Sequence, residues 1–240
     1  MGKNKLRKWA EMEDYAHVIQ PRFEDVFKKD HELKGKWREN FFASDNPIIL
    51  ELGCGKGEYT TAMASKYPGK NFLGIDIKGA RIWKGAKTAG RLALGNVGFL
   101  RTRIELIESF FAKEEVDEIW ITFPDPQLKK RRNKKRLTGA RFINHYRSFL
   151  KRDGLIHLKT DSRELYDYTL ELIKENGIQL ISNTGNLYAQ KNIDDVLSIR
   201  THYEQIFLDA GKDITYICFR PDIDKPVKEL KPDDEREPIL

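Results

Sequence analysis

The stretch Pro47-Ile-Ile-Leu-Glu-Leu-Gly-Cys-Gly-Lys-Gly57 constrains this chain more than any other. Ile48, Ile49, Leu50 and Leu52 form a short apolar run, stopped by Pro47 on one side and by glycines on the other. That pattern is the signature of a strand buried on both faces of a parallel sheet. Gly53, Gly55 and Gly57 then let the backbone bend sharply and approach a bound molecule, because no Cβ stands in the way. A helix is expected from Glu58 onward. Strand, glycine turn and helix, in that order, open a doubly wound α/β sheet at its nucleotide-binding end.

The spacing differs from a dinucleotide fingerprint, since the third glycine comes one residue early and Glu58 follows it. A pyrophosphate at that helix start would face Glu51 and Glu58, and like charges at short range repel. A ligand carrying an ammonium and a sulfonium, such as S-adenosylmethionine, suits these acids better. Asp76, in Asn71-Phe-Leu-Gly-Ile-Asp-Ile77, ends the expected second strand, about 20 residues on, where a ribose-binding acid belongs. The competing reading is a tight strand–helix turn with no ligand, and Asp76 in register counts against it.

Beyond residue 47 apolar strands and amphipathic helices alternate, which implies parallel βαβ crossovers. Strands are expected near 48–53, 71–76, 97–102, 117–123, 154–160, 178–183 and 213–219. Helices are expected near 57–67, 79–93, 104–112, 139–152, 162–176 and 200–211. The fold class is therefore α/β, a doubly wound, mostly parallel seven-stranded sheet. Residues 1–46 read as a basic N-terminal arm, mobile over 1–20, followed by a capping helix. Residues 47–220 form the main domain, and 221–240 a charged tail with four prolines that hugs the surface or stays disordered.

The net charge of +6 in 240 residues and a pI of about 9.1 point mildly to a polyanionic partner, though charge alone leaves a merely soluble basic protein equally open. Two cysteines far apart, Cys54 and Cys218, and five histidines without ligand spacing indicate neither a disulfide framework nor a metal site. With no signal-peptide core and no long apolar run, a cytoplasmic location without membrane contact is expected.

Asp117-Glu-Ile-Trp-Ile-Thr-Phe-Pro-Asp-Pro126 reads as a strand running into a stiff loop, because two prolines restrict their own φ and the residues before them. Beside the first strand, that loop lies where open α/β sheets bind ligands, so Asp125 is a candidate to position a substrate base. The alternative is an Asx-turn residue. Lys129-Lys-Arg-Arg-Asn-Lys-Lys-Arg136 follows at once, with Asn133 its one uncharged member. Such runs are commonly solvated surface, but this one is joined to the proposed catalytic loop and so suits phosphate contacts. Arg103, at the expected third strand end, is an unusual neighbour for a cationic cofactor; its side chain turns to solvent or pairs with an acid.

These segments together resemble the bacterial tRNA guanine-N7 methyltransferases. The resemblance rests on Glu51-x-Gly-x-Gly-x-Gly, Gly74-Ile-Asp76, Phe123-Pro-Asp-Pro with its basic run, Thr160-Asp161 and Thr201-His-Tyr-Glu204, and spans roughly residues 20–220. It implies a Rossmann-like class I S-adenosylmethionine-dependent methyltransferase fold and methylation of N7 of the variable-loop guanine, position 46, of tRNA. By position it implies that Glu51, Gly53, Gly55, Asp76, Arg103 and Asp125 line the cofactor site, with Asp125 also catalytic. Lys129, Asp161, Thr201, His202, Tyr203 and Glu204 would meet the substrate.

The sequence departs from the family pattern at Gln127, where a Trp is usual, at Arg103, where Asp or Asn is usual, and at His202, where a basic residue is usual. Guanine N7 has a free lone pair, so the chemistry calls for alignment and no prior deprotonation. The chain accordingly shows no nucleophile–base constellation, and neither cysteine is placed for C5-pyrimidine chemistry. Asp161 is suited to accept from guanine N1–H and N2–H; capping the helix at 162–176 is its alternative, a job Ser162 can also do. Two further readings stay open: a same-fold methyltransferase for a small molecule or protein, and a non-catalytic RNA-binding relative.

Overall fold

The computed structural model describes residues 2–231. The seven expected strands are present as β2 (Ile48–Leu52), β3 (Asn71–Asp76), β4 (Val97–Arg101), β5 (Val116–Thr122), β6 (Leu150–Thr160), β7 (Gln179–Thr184) and β8 (Thr215–Arg220). An eighth, β1 (Val18–Ile19), adds to the edge by pairing in parallel with β4. The expectation of seven strands is corrected to eight: two residues between polar neighbours carry too little periodicity to register as a strand.

The sheet order is β1-β4-β3-β2-β5-β6-β8-β7. Pairings from β1 through β6 are parallel, and β8 runs antiparallel to both β6 and β7. The chain steps from β2 to β3 in one direction and from β4 across β2 to β5 in the other. A crevice therefore opens at the carboxyl ends of β2 and β5, where an open sheet binds its ligands.

All five residues of β2 are buried, as are all six of β3. Fully burying a Leu or Ile side chain contributes about 1.5–3 kcal/mol, so these strands firmly anchor the floor of the crevice. The covering helices include α3 (Glu58–Lys66), α4 (Gly79–Arg91), α5 (Ala140–Arg147), α6 (Arg163–Glu175) and α7 (His202–Asp209). Near 104–112 a 3-10 helix (Ile104–Ser109) stands where an α-helix is expected.

The N-terminal arm is helical over α1 (Gly2–Glu13) and rests on α4, with Met12 fully buried and the Arg101 guanidinium over the Trp9 ring at 4.1 Å. Between them these contacts replace the mobile arm expected from charge alone. The capping region is a short α2 (Phe23–Val26) and a π-helical turn, Trp37–Phe42. Trp37 is fully buried and donates its indole N–H to the Phe110 carbonyl at 2.7 Å. Within the described part of the tail, Val227 is buried and held by Asn144, so the chain hugs the surface at least to there. Cys54 and Cys218 are both buried free thiols.

Candidate active site

Gly53, Gly55 and Gly57 all have left-handed φ, of +76°, +55° and +65°. The three serve two ends. A Cβ on Gly57 would lie 2.6 Å from the Phe99 ring and 3.1 Å from the Gly85 Cα, so this glycine lets α3 pack on α4. A Cβ on Gly53 or Gly55 would meet nothing nearer than 3.9 Å. Those two leave open space above the turn.

Around that space stand the expected acids. The Glu51 carboxyl, 2% exposed, accepts from the Thr60 N–H at 2.8 Å, the Thr60 hydroxyl and the Thr122 hydroxyl at 2.6 Å. Gly74, opposite Glu51 in the β2–β3 register, makes this possible, since a Cβ there would sit 2.8 Å from the Thr60 hydroxyl. Burial pushes the Glu51 carboxyl up to about 7; the Thr122 and Thr60 hydrogen bonds resist, and the Asp76 charge adds to the rise. Asp76 accepts from the Gly55 N–H at 2.9 Å and the Lys78 N–H at 2.8 Å, tying the glycine turn to the end of β3.

Two cavities flank the Phe123–Pro126 loop. One, of about 80 Å³, is lined by Glu51, Gly53, Gly55, Phe123, Thr201 and Tyr203 among others. The other, of about 300 Å³, is bordered by Gly53, Asp76, Ile77, Thr102, Arg103 and Gln127 among others. Of the expected cofactor residues, Glu51, Gly53 and Gly55 line the first cavity and Gly53, Asp76 and Arg103 the second, whereas Asp125 lines neither. The Arg103 side chain is 55% exposed, with a loose ion pair to Glu105 at 3.8 Å. Both sequence alternatives for it, solvent and an acid partner, hold together.

The loop is fixed at both ends. Phe123 and Gln127 carry left-handed φ values of +49° and +51°, strain that the surroundings must hold. The Phe123 N–H donates to the Lys159 carbonyl at 2.8 Å, and Arg136 donates to the Pro126 carbonyl at 3.3 Å while covering the Tyr168 ring at 4.2 Å. Asp125 is exposed, lines neither cavity, and accepts from the Gln127 N–H at 3.1 Å, the Asx-type contact that is its alternative. The basic run forms a 3-10 helix, Lys130–Lys135, directly after Lys129, and Lys135 borders the larger cavity.

Across the crevice, Thr201 caps α7 in a capping box with Glu204. The His202 N–H donates to Glu58 at 2.8 Å, and Lys84 reaches the same carboxylate at 3.2 Å. Burial would raise Glu58, but those two partners outweigh it and hold the carboxyl below its ordinary value. Tyr203 is 40% exposed at the mouth, with Lys56 and Arg81 near its ring at 5.6 and 5.9 Å. Glu204 instead faces inward, fully buried with Lys159 at 2.8 Å. Ser162, not Asp161, caps α6, leaving Asp161 free of that job; Lys212 bonds it at 2.6 Å.

The family model described as "Putative methyltransferase" matches residues 45–217. A tRNA (guanine-N(7)-)-methyltransferase of Christiangramia forsetii is 54% identical over 91% of this chain and 98% of its own length. The chain belongs to this family. The Bacteroides thetaiotaomicron member is 51% identical over 92% of this chain and 86% of its own. Among solved structures, the 16S rRNA methyltransferase KamB shares the fold with a TM-score of 0.61 at 14% identity, covering 82% of this chain and 98% of that one.

Several functional candidates carry no signal in the sequence. Thr60 and Thr122, which hold Glu51, look like ordinary strand and helix residues, and Lys56 and Arg81 are isolated charges. Lys159 sits inside an apolar strand. Its one sequence mark is that a lysine there has to be paired to be buried.

Proposed function

We propose that this chain transfers a methyl group from S-adenosylmethionine to N7 of guanine 46 in the tRNA variable loop. The observation that carries the reading is the Phe123–Pro126 loop. It starts at Phe123 in the wall of one cavity and leads to Gln127 at the border of the other, with a basic run fastened to it through Arg136. The site fits a cationic cofactor, since a buried carboxyl, Glu51, and a strand-end acid, Asp76, surround open space over Gly53 and Gly55. Glu51, Gly53, Gly55 and Asp76 would hold that cofactor, with Arg103 contributing backbone at its rim.

When bound, S-adenosylmethionine supplies an electrophilic methyl group beside a positive sulfur. Guanine N7 offers a lone pair without losing a proton, so the protein's task is alignment. Asp125 accepts hydrogen bonds from the target base or its nucleotide, released from its Asx contact with Gln127. Asp161 accepts from the guanine N1–H and N2–H edge. Tyr203, with Lys56 and Arg81 near its ring, offers a stacking face for a base that has left its stack. Lys129, Thr201 and His202 border the entry for the nucleotide backbone.

The basic run favours this reading over a small-molecule substrate, because it aims phosphate-seeking charge at the site. The test is methyl transfer to bulk tRNA followed by nucleoside analysis. 7-Methylguanosine in the variable loop is the expected product, and a methyl group on any other nucleoside rejects the proposal.

A further inference from the structure

Lys159 stands directly beside Thr122 in the β5–β6 register, at the strand ends that form the floor of the crevice. Its side chain is 0% exposed, as is that of Glu204. The ammonium has three donors, and each has a partner: Glu204 at 2.8 Å, the Leu197 carbonyl at 2.8 Å and the Ile199 carbonyl at 3.0 Å. The Glu204 carboxylate is equally committed. It receives the Tyr188 hydroxyl at 2.6 Å and closes the capping box with Thr201.

Those partners have a common purpose. Between the short 3-10 turn Leu187–Ala189 and α7 the chain forms no further helix or strand, so it lacks a ladder of its own. Lys159 supplies two of its backbone contacts, and the Tyr59 hydroxyl supplies a third by donating to the Val196 carbonyl at 2.6 Å. The backbone carbonyl of the same lysine accepts from the Phe123 N–H, and the Phe123 ring meets Phe207 of α7 at 5.7 Å. One residue therefore grips the catalytic loop with its main chain and the opposite wall of the crevice with its side chain.

A buried ion pair is a poor way to gain stability, because desolvation offsets the attraction and apolar residues of like volume do as well. It does fix geometry. We propose that Lys159 and Glu204 are positioning residues that set the gap between the Phe123–Pro126 loop and the Thr201–Tyr203 wall, with Glu204 touching no part of the substrate. This rests on the methyl-transfer reading above and revises the substrate-contact role that the family resemblance implies for Glu204.

The test is a double-mutant cycle with Lys159→Met, Glu204→Gln and both together, reading kcat, tRNA KM, cofactor Kd and tRNA affinity by fluorescence anisotropy. Each single change leaves one buried group unpaired, so tRNA KM should rise by about tenfold or more while cofactor Kd stays within about twofold. The double variant should return to within about fivefold of wild type. If Glu204→Gln is as damaging in the double variant as alone, while Lys159→Met by itself is harmless, Glu204 contacts the base and the proposal falls.

Should the singles not fold, Tyr188→Phe removes one bond to Glu204 and keeps the ring. A rise in tRNA KM of about threefold at unchanged cofactor Kd supports the clamp, and no change in either overturns it. A wild-type enzyme that makes no 7-methylguanosine defeats the substrate reading instead; the anisotropy cycle still reads the clamp, and the same two patterns decide it.

Discussion

The two walls of the crevice are built by different means. The side proposed for the cofactor is made of backbone and buried carboxyls: left-handed glycines, and Glu51 and Asp76 each held by hydrogen bonds. On the side proposed for RNA stand exposed side chains, Asp125, Lys129, Arg131, Arg132, Lys134 and Tyr203 among them, on segments pinned at a few points. A small rigid cofactor can be met by a fixed cradle. A large polyanion approaches from outside and must be met at the surface.

Asp125→Ala is the strongest way to separate the walls. Turnover should fall by about a thousandfold or more with cofactor affinity and Tm unchanged, because the carboxylate is exposed. Asp125→Asn keeps an acceptor for the Gln127 N–H but loses the charge, so near-normal turnover in that variant would show that loop geometry alone suffices.

Gly57→Ala and Gly53→Ala split the cofactor wall itself. The first meets Phe99 as well as a left-handed φ and should cost about 2–4 kcal/mol in denaturant unfolding. The second bears only the backbone cost, about 1–2 kcal/mol, yet should weaken cofactor binding in calorimetry by filling space above the turn. Equal stability losses would mean that the two glycines have one role.

On the RNA wall, Arg131, Arg132 and Lys134 are exposed, whereas Arg136 is a tie to the loop. Replacing the first three by Ala should flatten the salt slope of tRNA binding by about one unit per lost phosphate contact, with kcat little changed. Arg136→Ala should lower kcat as well. Matching behaviour of the two variants would erase that distinction.

The smallest effect is a pH dependence confined to the cofactor wall. Burial raises Glu51 to about 7, so the folded protein holds its proton above the ordinary carboxylate range. Ionising Glu51 therefore costs stability as pH climbs from that range to about 7, and the cost levels off above. A cationic ligand prefers the carboxylate, so S-adenosylmethionine affinity should rise by up to about tenfold per pH unit below 7 and flatten beyond it. Glu51→Gln should flatten the curve throughout when measured by calorimetry.

The same contrast governs what was legible in the sequence. The cofactor wall is local: β2, the glycine turn and Asp76 are written in consecutive residues with a period and a stop, and the structure brings them together as read. The RNA wall depends on contacts far apart in the chain. Nothing near Lys159 announces a carboxylate 45 positions later. The cofactor wall has one non-local part of its own: Thr60 and Thr122, which hold Glu51, become legible only once β2, α3 and β5 are side by side. The capping region was legible only as helix: α2 is a single turn that buries Val26 and leaves Phe23 and Phe27 exposed, and nothing in the order of residues 37–42 marks a π winding. The N-terminal arm misled because its lysines and arginines mask Met12 and Trp9, whose contacts lie on α4 and at the end of β4.

The left-handed residues at either end of Phe123-Pro-Asp-Pro have a consequence for how the enzyme matures. That segment is shaped from outside, by the Lys159 carbonyl at one end and the Arg136 guanidinium at the other. A nascent chain that stops before β6 lacks the first of these moorings. Synthesis must pass residue 159, and β6 must dock beside β5, before Asp125 takes its aim. The final shape of this segment is thus a late acquisition of folding, even though its own residues are made early.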